Sequence, residues 1–265
     1  MATITASLVN ELRAKTGLGM MECKKVLTEV GGDLDAAIDA VRKKGVKASL
    51  TERIATEGRV EVTTIGNTAA AAEVVCNTDF TAKSDVVDNA AKLAAKKLAS
   101  GTDVSADAEL KEALESASKV TGENVQLGRT ATLSGNVGSY LYSTAGKGKI
   151  GVLLQFAGAV DEELVKALGM HIAAARPVAQ TRDQVPADLV AKEKEIAVEQ
   201  AKATGKPQEI AEKIALGKLN SFYAERVLMD QEFINGEIFK GTVGALLKSK
   251  KAELVKYVRL EVGAA

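Results

Sequence analysis

Side chains suited to covalent or metal chemistry are few, since the chain has one histidine and two cysteines. His171 stands in a predicted helix between Met170 and Ile172, a position typical of a packed or capping histidine rather than of a catalyst. Cys23 and Cys76 are far apart and form no CxxC motif or Cys/His cluster, which argues against a structural zinc site. Neither cysteine has a sequence-local partner that would activate a thiolate.

A glycine-rich stretch from Gly146 to Gly151 matches the GxGxxG pattern of dinucleotide-binding loops. That pattern requires a strand before it and a helix after it, whereas an apolar strand pattern follows here, so we interpret the match as chance. No GxxxxGK[ST] phosphate loop is present, and the paired carboxylates Glu162-Glu163 suit the first turn of a predicted helix. The sequence assembles no active site. We therefore predict an interaction protein that is not an enzyme and needs no cofactor and no metal.

The most distinctive stretch runs from Cys76 to Phe80. It follows a small-residue apolar run and precedes a helical pattern, so its context predicts a strand, a tight loop and a helix. The loop ends in Asp79 followed by Phe80. A phenylalanine there can pack into its own core, which is the commoner outcome, or stand out and enter a partner. The rest of the chain favours the second interpretation.

The composition is that of an ordinary globular protein of 265 residues, with 46% hydrophobic and 26% charged side chains. Lys+Arg and Asp+Glu both total 35, which argues against a protein dedicated to nucleic acid, since such proteins usually carry a basic excess. The start of the chain does not resemble a signal peptide, and no apolar run approaches the roughly 18 residues needed to span a bilayer. We expect a cytoplasmic protein with no membrane contact.

The first 45 residues predict three short helices. Thr5 and Asp33 are suited to cap the first and third helices, and glycines end all three. Leu34, Ala37, Ile38 and Val41 share one face of the third helix. We expect a small three-helix module over residues 1–45 and a polar linker over 46–57.

Beyond the linker the hydrophobic period changes from helical to alternating, and strand, loop and helix patterns occur twice. We predict an α+β fold in which antiparallel sheets packed with helices form a two-part core. Core subdomain N covers residues 58–137, and core subdomain C covers 138–180 and 229–265. Residues 181–228 predict an inserted antiparallel helical hairpin, with Leu189, Ile196 and Ala203 on one arm facing Ile210, Ile214 and Leu219 on the other.

Four groups of residues with distinctive sequences follow one another along essentially the whole chain. They are Ile4 to Val9 with Leu12-Arg13, Thr16-Gly17 and Gly19 to Lys25; Thr78-Asp79-Phe80; Met170 to Ala174; and Gly205-Lys206-Pro207 with Glu209 to Lys213. In this order they resemble the signatures of the bacterial translation elongation factor Ts family. Each motif is weak alone, whereas the ordered set is specific.

The resemblance implies a guanine nucleotide exchange factor for elongation factor Tu, in its GDP-bound and nucleotide-free states. It implies that the three-helix module, resembling a ubiquitin-associated module, packs on the GTPase domain of Tu through Arg13, Met20 and Met21. It also implies that the motif Thr78-Asp79-Phe80 enters that domain near the magnesium and phosphate site, where Asp79 and Phe80 displace the partner's magnesium. The hairpin would serve a homodimer or a further partner.

Two features depart from the family pattern. Many members carry a histidine shortly after Gly-Ser-Tyr, whereas Gly138-Ser139-Tyr140 is followed here by Leu141 and Tyr142. We expect Tyr142 to take that position in the partner contact as a planar hydrogen-bonding group. Some members also continue with a further C-terminal helical module, and we expect any contact from it to be lacking in a chain ending at Ala265.

Two other function classes stay open on the sequence alone. A peptide- or ubiquitin-binding adaptor without exchange activity fits the first 45 residues but leaves the core and the Thr-Asp-Phe motif unexplained. An enzyme would need a nucleophile or a metal-binding set that the sequence does not present. The exposure of Phe80 separates these alternatives. An exposed ring beside a second patch on the N-terminal module would support exchange, whereas a buried ring would favour an adaptor or a structural role. Adjacent Met20 and Met21 cannot both be fully buried in a small helical module, so at least one of them should be exposed.

Overall fold

The computed structural model describes residues 4–16, 19–34, 36–37, 40, 57–203 and 207–263. The chain divides into two compact units, Met1–Thr56 and Glu57–Ala265. The predicted linker over 46–57 lies outside the described residues except for Glu57, where the first strand begins.

The N-terminal unit contains helices α1 (Ala6–Thr16) and α2 (Met20–Glu29). The predicted caps are confirmed, since Thr5 Oγ1 accepts a hydrogen bond from Leu8 N at 3.3 Å and Asp33 Oδ1 accepts one from Ala36 N at 3.0 Å. A third stretch is helical at the described positions 34, 36, 37 and 40, while Ile38 and Val41 lie outside them. The unit buries a small core of Val9, Leu12, Cys23, Val26, Leu27 and Ala37.

The second unit is an α+β fold built on two antiparallel three-stranded sheets, as the sequence predicts. The first sheet contains β1 (Glu57–Ile65), β2 (Thr68–Cys76) and β3 (Gln126–Ser134). The second contains β4 (Asn136–Thr144), β5 (Lys147–Phe156) and β6 (Leu254–Glu261). The central strand of each sheet, β2 or β5, leads into the helices that cover that sheet.

The helices of this unit in chain order are α3 (Asp79–Ala82), α4 (Asp85–Ala99), α5 (Ala108–Thr121), α6 (Glu162–Ala175), α7 (Ala187–Ala203), α8 (Gln208–Arg226) and α9 (Val243–Ser249). Helices α4 and α5 pack on the first sheet, with Val74 and Cys76 of β2 clustered against Val87 and Ala91 of α4. Helices α6 and α9 pack on the second sheet.

The two sheets also pack against each other, through a cluster that includes Val60, Ala71 and Leu153. Strand β5 is therefore covered on both sides: Ile150, Val152 and Leu154 face α6, while Leu153 faces the first sheet. Burial on both faces explains why this strand is a continuous apolar run instead of an alternating one.

Helices α7 and α8 contact each other, and among their described side chains the buried ones are alanines, Ala197, Ala201 and Ala215. The predicted facing stripe is wrong at Ile196 and Ile210, which are exposed. Small side chains let two helix backbones approach closely, so the alanine positions take the interior in place of the isoleucines. The side chain of Ala203 and the turn at 204–206 lie outside the described residues.

His171 is a packed residue, as the sequence predicts, and the two nitrogens of its buried ring have different roles. Its Nδ1 accepts a hydrogen bond from Ile234 N at 3.2 Å, and its Nε2 donates to Gln231 Oε1 at 3.0 Å. The direction of the second bond follows because Gln231 Nε2 already donates to two carbonyls, of Ala175 and Glu225. Burial lowers the pKa of His171, although the bond to Gln231 opposes this.

We expect this histidine to make the protein less stable in mild acid. Because the pKa is lowered in the folded state, the unfolded chain binds the proton first as the pH falls below the ordinary value of about 6.5. The free energy of unfolding should then decrease until the lowered pKa is passed. Urea unfolding across this range measures the slope, and His171→Gln should remove that part of it. An identical slope in the variant would contradict the assignment.

Candidate partner-binding site

The segment that carries Phe80 begins where β2 ends. The sequence predicts Asp79 and Phe80 at the end of a loop, and the structure places them in the first turn of the short helix α3. Thr78 caps this helix, since its Oγ1 accepts a hydrogen bond from Thr81 N at 3.2 Å. The Thr-Asp pair therefore starts a helix immediately after the strand.

The ring of Phe80 is on the solvent side of this turn. Its exposed fraction is 85%, compared with 3% for Phe156 in the core. Successive helical residues point about 100° apart, and Thr81 and Ala82 take the buried positions. Burying those two residues leaves Phe80 facing outward. An exposed phenylalanine on a capped turn is suited to enter an apolar recess of a partner.

Asp79 lies beside the ring and is also exposed. Lys83 Nζ is 2.5 Å from Asp79 Oδ2, one helical turn away. The hydrogen bond and the positive charge of Lys83 lower the pKa of Asp79, so this carboxylate is ionised at neutral pH. It presents a negative charge next to an apolar ring, on a segment of four helical residues.

Glu123 fixes the start of this segment, and sequence reasoning missed it. Its Oε2 accepts hydrogen bonds from Asn77 N at 3.0 Å and Thr78 N at 3.1 Å, and its Oε1 accepts one from Thr78 Oγ1 at 2.5 Å. Burial acts to raise the pKa of Glu123, but hydrogen bonds from Thr78, Thr81 and Asn77 outweigh burial and leave the pKa lowered. The only sequence signal is Gly122, which ends α5 with a φ of 71° and turns the chain toward β2.

Cys76, at the end of β2, is a structural residue of the same corner. Its Sγ donates to Thr78 O at 3.4 Å, and burial raises its pKa to about 11. The thiol is therefore protonated at neutral pH and is not a nucleophile. Cys23 is likewise buried, in the core of the N-terminal unit.

Tyr142 lies on β4, in the second sheet, with its side chain partly in solvent. It borders a cavity of about 330 Å³ that is also lined by Tyr140, Met170 and Arg176. Near the start of the next strand, Lys147 Nζ lies 2.7 Å from Asp85 Oδ1 at the beginning of α4. This ion pair joins the hairpin that carries Tyr142 to the helix that follows the Phe80 segment.

The N-terminal unit presents its own apolar surface. Met20 and Met21 open α2 with exposed fractions of 54% and 79%, while Cys23, Val26 and Leu27 take the buried side of this helix. Arg13, on α1, is exposed. The predicted site residues are thus exposed on each unit taken separately, except for Thr78, whose hydroxyl is used inside the chain.

Comparison with known proteins adds an independent observation. The family model described as Elongation factor TS matches residues 76–264. The chain is similar to elongation factor Ts of Methylococcus capsulatus, with 43% identity over 98% of this chain and 92% of the relative. It is also similar to the proteins of that name from Vibrio parahaemolyticus, at 42% identity, and Erwinia tasmaniensis, at 41%, each over 99% of this chain and at least 92% of the relative.

The chain belongs to the elongation factor Ts family.

Members of the elongation factor Ts family act in translation elongation and are not catalytic enzymes. In the part of the chain that the structure describes, no group of three or more His, Cys, Asp or Glu side chains is placed to hold a metal ion. None of the described helices is both long enough and apolar enough to cross a membrane.

The glycine-rich stretch that matches GxGxxG has a structural explanation in this chain. It forms the turn into β5 and the first half of that strand. A Cβ at Gly148 would lie 1.9 Å from the carbonyl oxygen of Val60 on β1. The glycine thus allows the two sheets to approach, and the interpretation of the motif match as chance agrees with this geometry.

Proposed function

We propose that this chain is a guanine nucleotide exchange factor for elongation factor Tu, acting in the cytoplasm during protein synthesis. The observation that carries the proposal is the exposed Phe80 on a capped turn, in a chain of the elongation factor Ts family. Asp79 and Phe80 enter the GTPase domain of Tu near its magnesium and phosphate site. The chain makes no direct contact with nucleic acid or membrane.

The mechanism requires no bond to be made or broken by this chain. Mg²⁺ needs near-ideal octahedral geometry and bridges to phosphate oxygens, so a small displacement of the groups around it weakens nucleotide binding. Phe80 acts by stabilising the nucleotide-free form of Tu more than the GDP-bound form. Because linkage is reciprocal, GDP and this chain weaken each other's binding to Tu by the same factor. GTP binding then releases the chain.

The remaining contacts come from other parts of the chain. Arg13, Met20 and Met21 of a ubiquitin-associated-like three-helix module over residues 1–45 bind the GTPase domain of Tu. Thr78 supports the motif, and Tyr142, on core subdomain C, contacts another domain of Tu. We further propose that residues 181–228 form an antiparallel hairpin arm that mediates a homodimer. The core comprises subdomain N over 58–137 and subdomain C over 138–180 and 229–265.

The direct test is the release of a fluorescent GDP analogue from the cognate elongation factor Tu, with and without this chain. We expect release to accelerate markedly, because a chain that binds the nucleotide-free form of Tu better than the GDP-bound form weakens the binding of GDP. An unchanged release rate would reject the exchange function and would favour the peptide-binding adaptor.

The N-terminal unit yields a separate prediction. Met21→Ala should weaken binding to elongation factor Tu by about tenfold, because truncating an exposed apolar anchor that is buried in a complex costs more than about 1 kcal/mol. The helix itself should be unaffected, since alanine is the better helix former. Titration calorimetry measures the affinity. Val255→Ala, which truncates another exposed apolar residue, on β6, is the control, and equal effects of the two variants would contradict the assignment.

A further inference from the structure

The corner between β2, α3 and α5 is more constrained than a short exposed turn requires. Glu123 accepts three hydrogen bonds there from Asn77 and Thr78, the two residues that precede the Phe80 helix, and the Thr81 side chain also hydrogen-bonds to it. The Thr78 hydroxyl that donates to Glu123 also accepts from Thr81 N. One carboxylate therefore determines both the direction of the chain as it leaves β2 and the rotamer of the helix cap.

Glu123 is itself firmly held. Gly122 N donates to Ser118 O at 2.9 Å, and Glu123 N donates to Thr121 Oγ1 at 3.3 Å. On the far side, Val125 N donates to Ser118 Oγ at 3.0 Å, and the Val125 side chain is buried in the same cluster as Val74 and Cys76. Glu123 thus lies in the short connection 122–125, which these contacts anchor to the end of α5 and to the core beneath β3.

We propose that Glu123 is a positioning residue that holds the Asp79-Phe80 turn in its partner-binding conformation before the partner arrives. This inference rests on the proposed exchange function, and it assigns to Glu123 no contact with the partner. A turn that is not held in advance must be ordered during binding, and that ordering reduces affinity. When only a fraction of molecules has the competent conformation, the apparent dissociation constant rises by the reciprocal of that fraction.

Substitutions of Glu123 and of Phe80 should have different effects on the kinetics of GDP release. Loss of Glu123 reduces the competent fraction, but each competent molecule still carries the ring. The concentration of this chain that gives half-maximal GDP release should therefore rise, while the maximal release rate at saturation stays the same. Loss of the ring should lower the maximal rate itself. A general loss of folded structure would also raise the half-maximal concentration, by the reciprocal of the folded fraction, so the folded fraction of each variant is measured alongside by circular dichroism.

The experiment is a titration of fluorescent-GDP-loaded elongation factor Tu with the full chain and its variants. Glu123→Ala should raise the half-maximal concentration roughly tenfold, which corresponds to about 1.4 kcal/mol of ordering moved into the binding step. Glu123→Gln should largely restore the parent value, because its amide oxygen can still accept the two backbone N–H groups. In the Phe80→Ala background, Glu123→Ala should have little further effect, since there is no ring left to position.

Glu73→Ala is the matched structural control. Glu73 is a buried carboxylate of β2 whose Oε2 lies 2.8 Å from Nε of Arg129 on the neighbouring strand β3, so its loss should reduce thermal stability without raising the half-maximal concentration. If Glu123→Ala does not fold, the variants Thr78→Val and Thr78→Ser test the positioning role instead. Valine removes both hydrogen bonds of the Thr78 hydroxyl, and serine keeps them. We then expect a raised half-maximal concentration for valine and the parent value for serine.

The outcomes distinguish the two proposals. No acceleration by the unmodified chain would overturn the exchange function. Normal exchange together with an unchanged half-maximal concentration in folded Glu123→Ala, or equal values for Thr78→Val and Thr78→Ser, would overturn only the positioning role. An equal rise caused by Glu73→Ala would also overturn it, since the effect would then be one of general stability.

Discussion

Phe80→Ala should lower the maximal rate of GDP release from elongation factor Tu by roughly 30-fold, while the fold stays intact. The estimate follows from alanine truncation of an aromatic anchor, which costs about 2 kcal/mol or more at the centre of an interface. The ring is 85% exposed in the free chain, so its removal should change the free energy of unfolding by less than about 0.5 kcal/mol. Stopped-flow release and thermal unfolding measure the two quantities.

Phe156→Ala is the matched control for this experiment. It makes the same substitution at a ring that is 3% exposed in the core of the second sheet, where truncation costs about 3–5 kcal/mol of stability. Phe80→Ala should therefore lose exchange activity and keep its stability, whereas Phe156→Ala should lose stability. A large loss of stability in Phe80→Ala would mean that the ring packs within its own chain, and the proposed insertion into Tu would fail.

Gly148→Ala should destabilise the second unit by about 3 kcal/mol, the upper end for overpacking a well-filled interior. The added Cβ would lie 1.9 Å from Val60 O and 2.9 Å from Leu141 Cδ1. The nearest atom belongs to the backbone of β1, so relief requires the two sheets to separate. By comparison, the atoms nearest to a Cβ at Gly151 belong to the side chains of Val60, Val62 and Ala71, and the two valine side chains can adjust more easily than backbone.

Gly217→Ala is the control, and it should change the free energy of unfolding in the opposite direction. Gly217 lies inside α8, and an added Cβ would meet nothing within 4 Å, so alanine should stabilise the helix by about 0.5–1 kcal/mol. Thermal unfolding should therefore shift down for Gly148→Ala, by about 6–12 °C for a unit of this size, and slightly up for Gly217→Ala. A neutral Gly148→Ala would show that the contact between the sheets is not tightly packed.

The sequence by itself determined the elements and the family. Periods of two and of 3.6 residues are local properties of a strand and a helix, so β2, β5, α4 and α6 follow from the printed residues. Helix caps are equally local, which is why Thr5 and Asp33 are predicted correctly. The ordered signatures identified the family, because their combination is far more specific than any one of them.

Only the tertiary structure decided which side chains meet across long distances in the chain. Glu123 contacts Thr78 because α5 brings it back to the end of β2, and no local pattern encodes that contact. The interior positions of α7 and α8 went to alanines instead of Ile196 and Ile210, because the closeness of two helices is a property of the pair. The exposure of Phe80 and the need for glycine at 148 have the same origin. Both depend on what lies opposite in space, and side-chain type and spacing along one strand or helix do not contain that information.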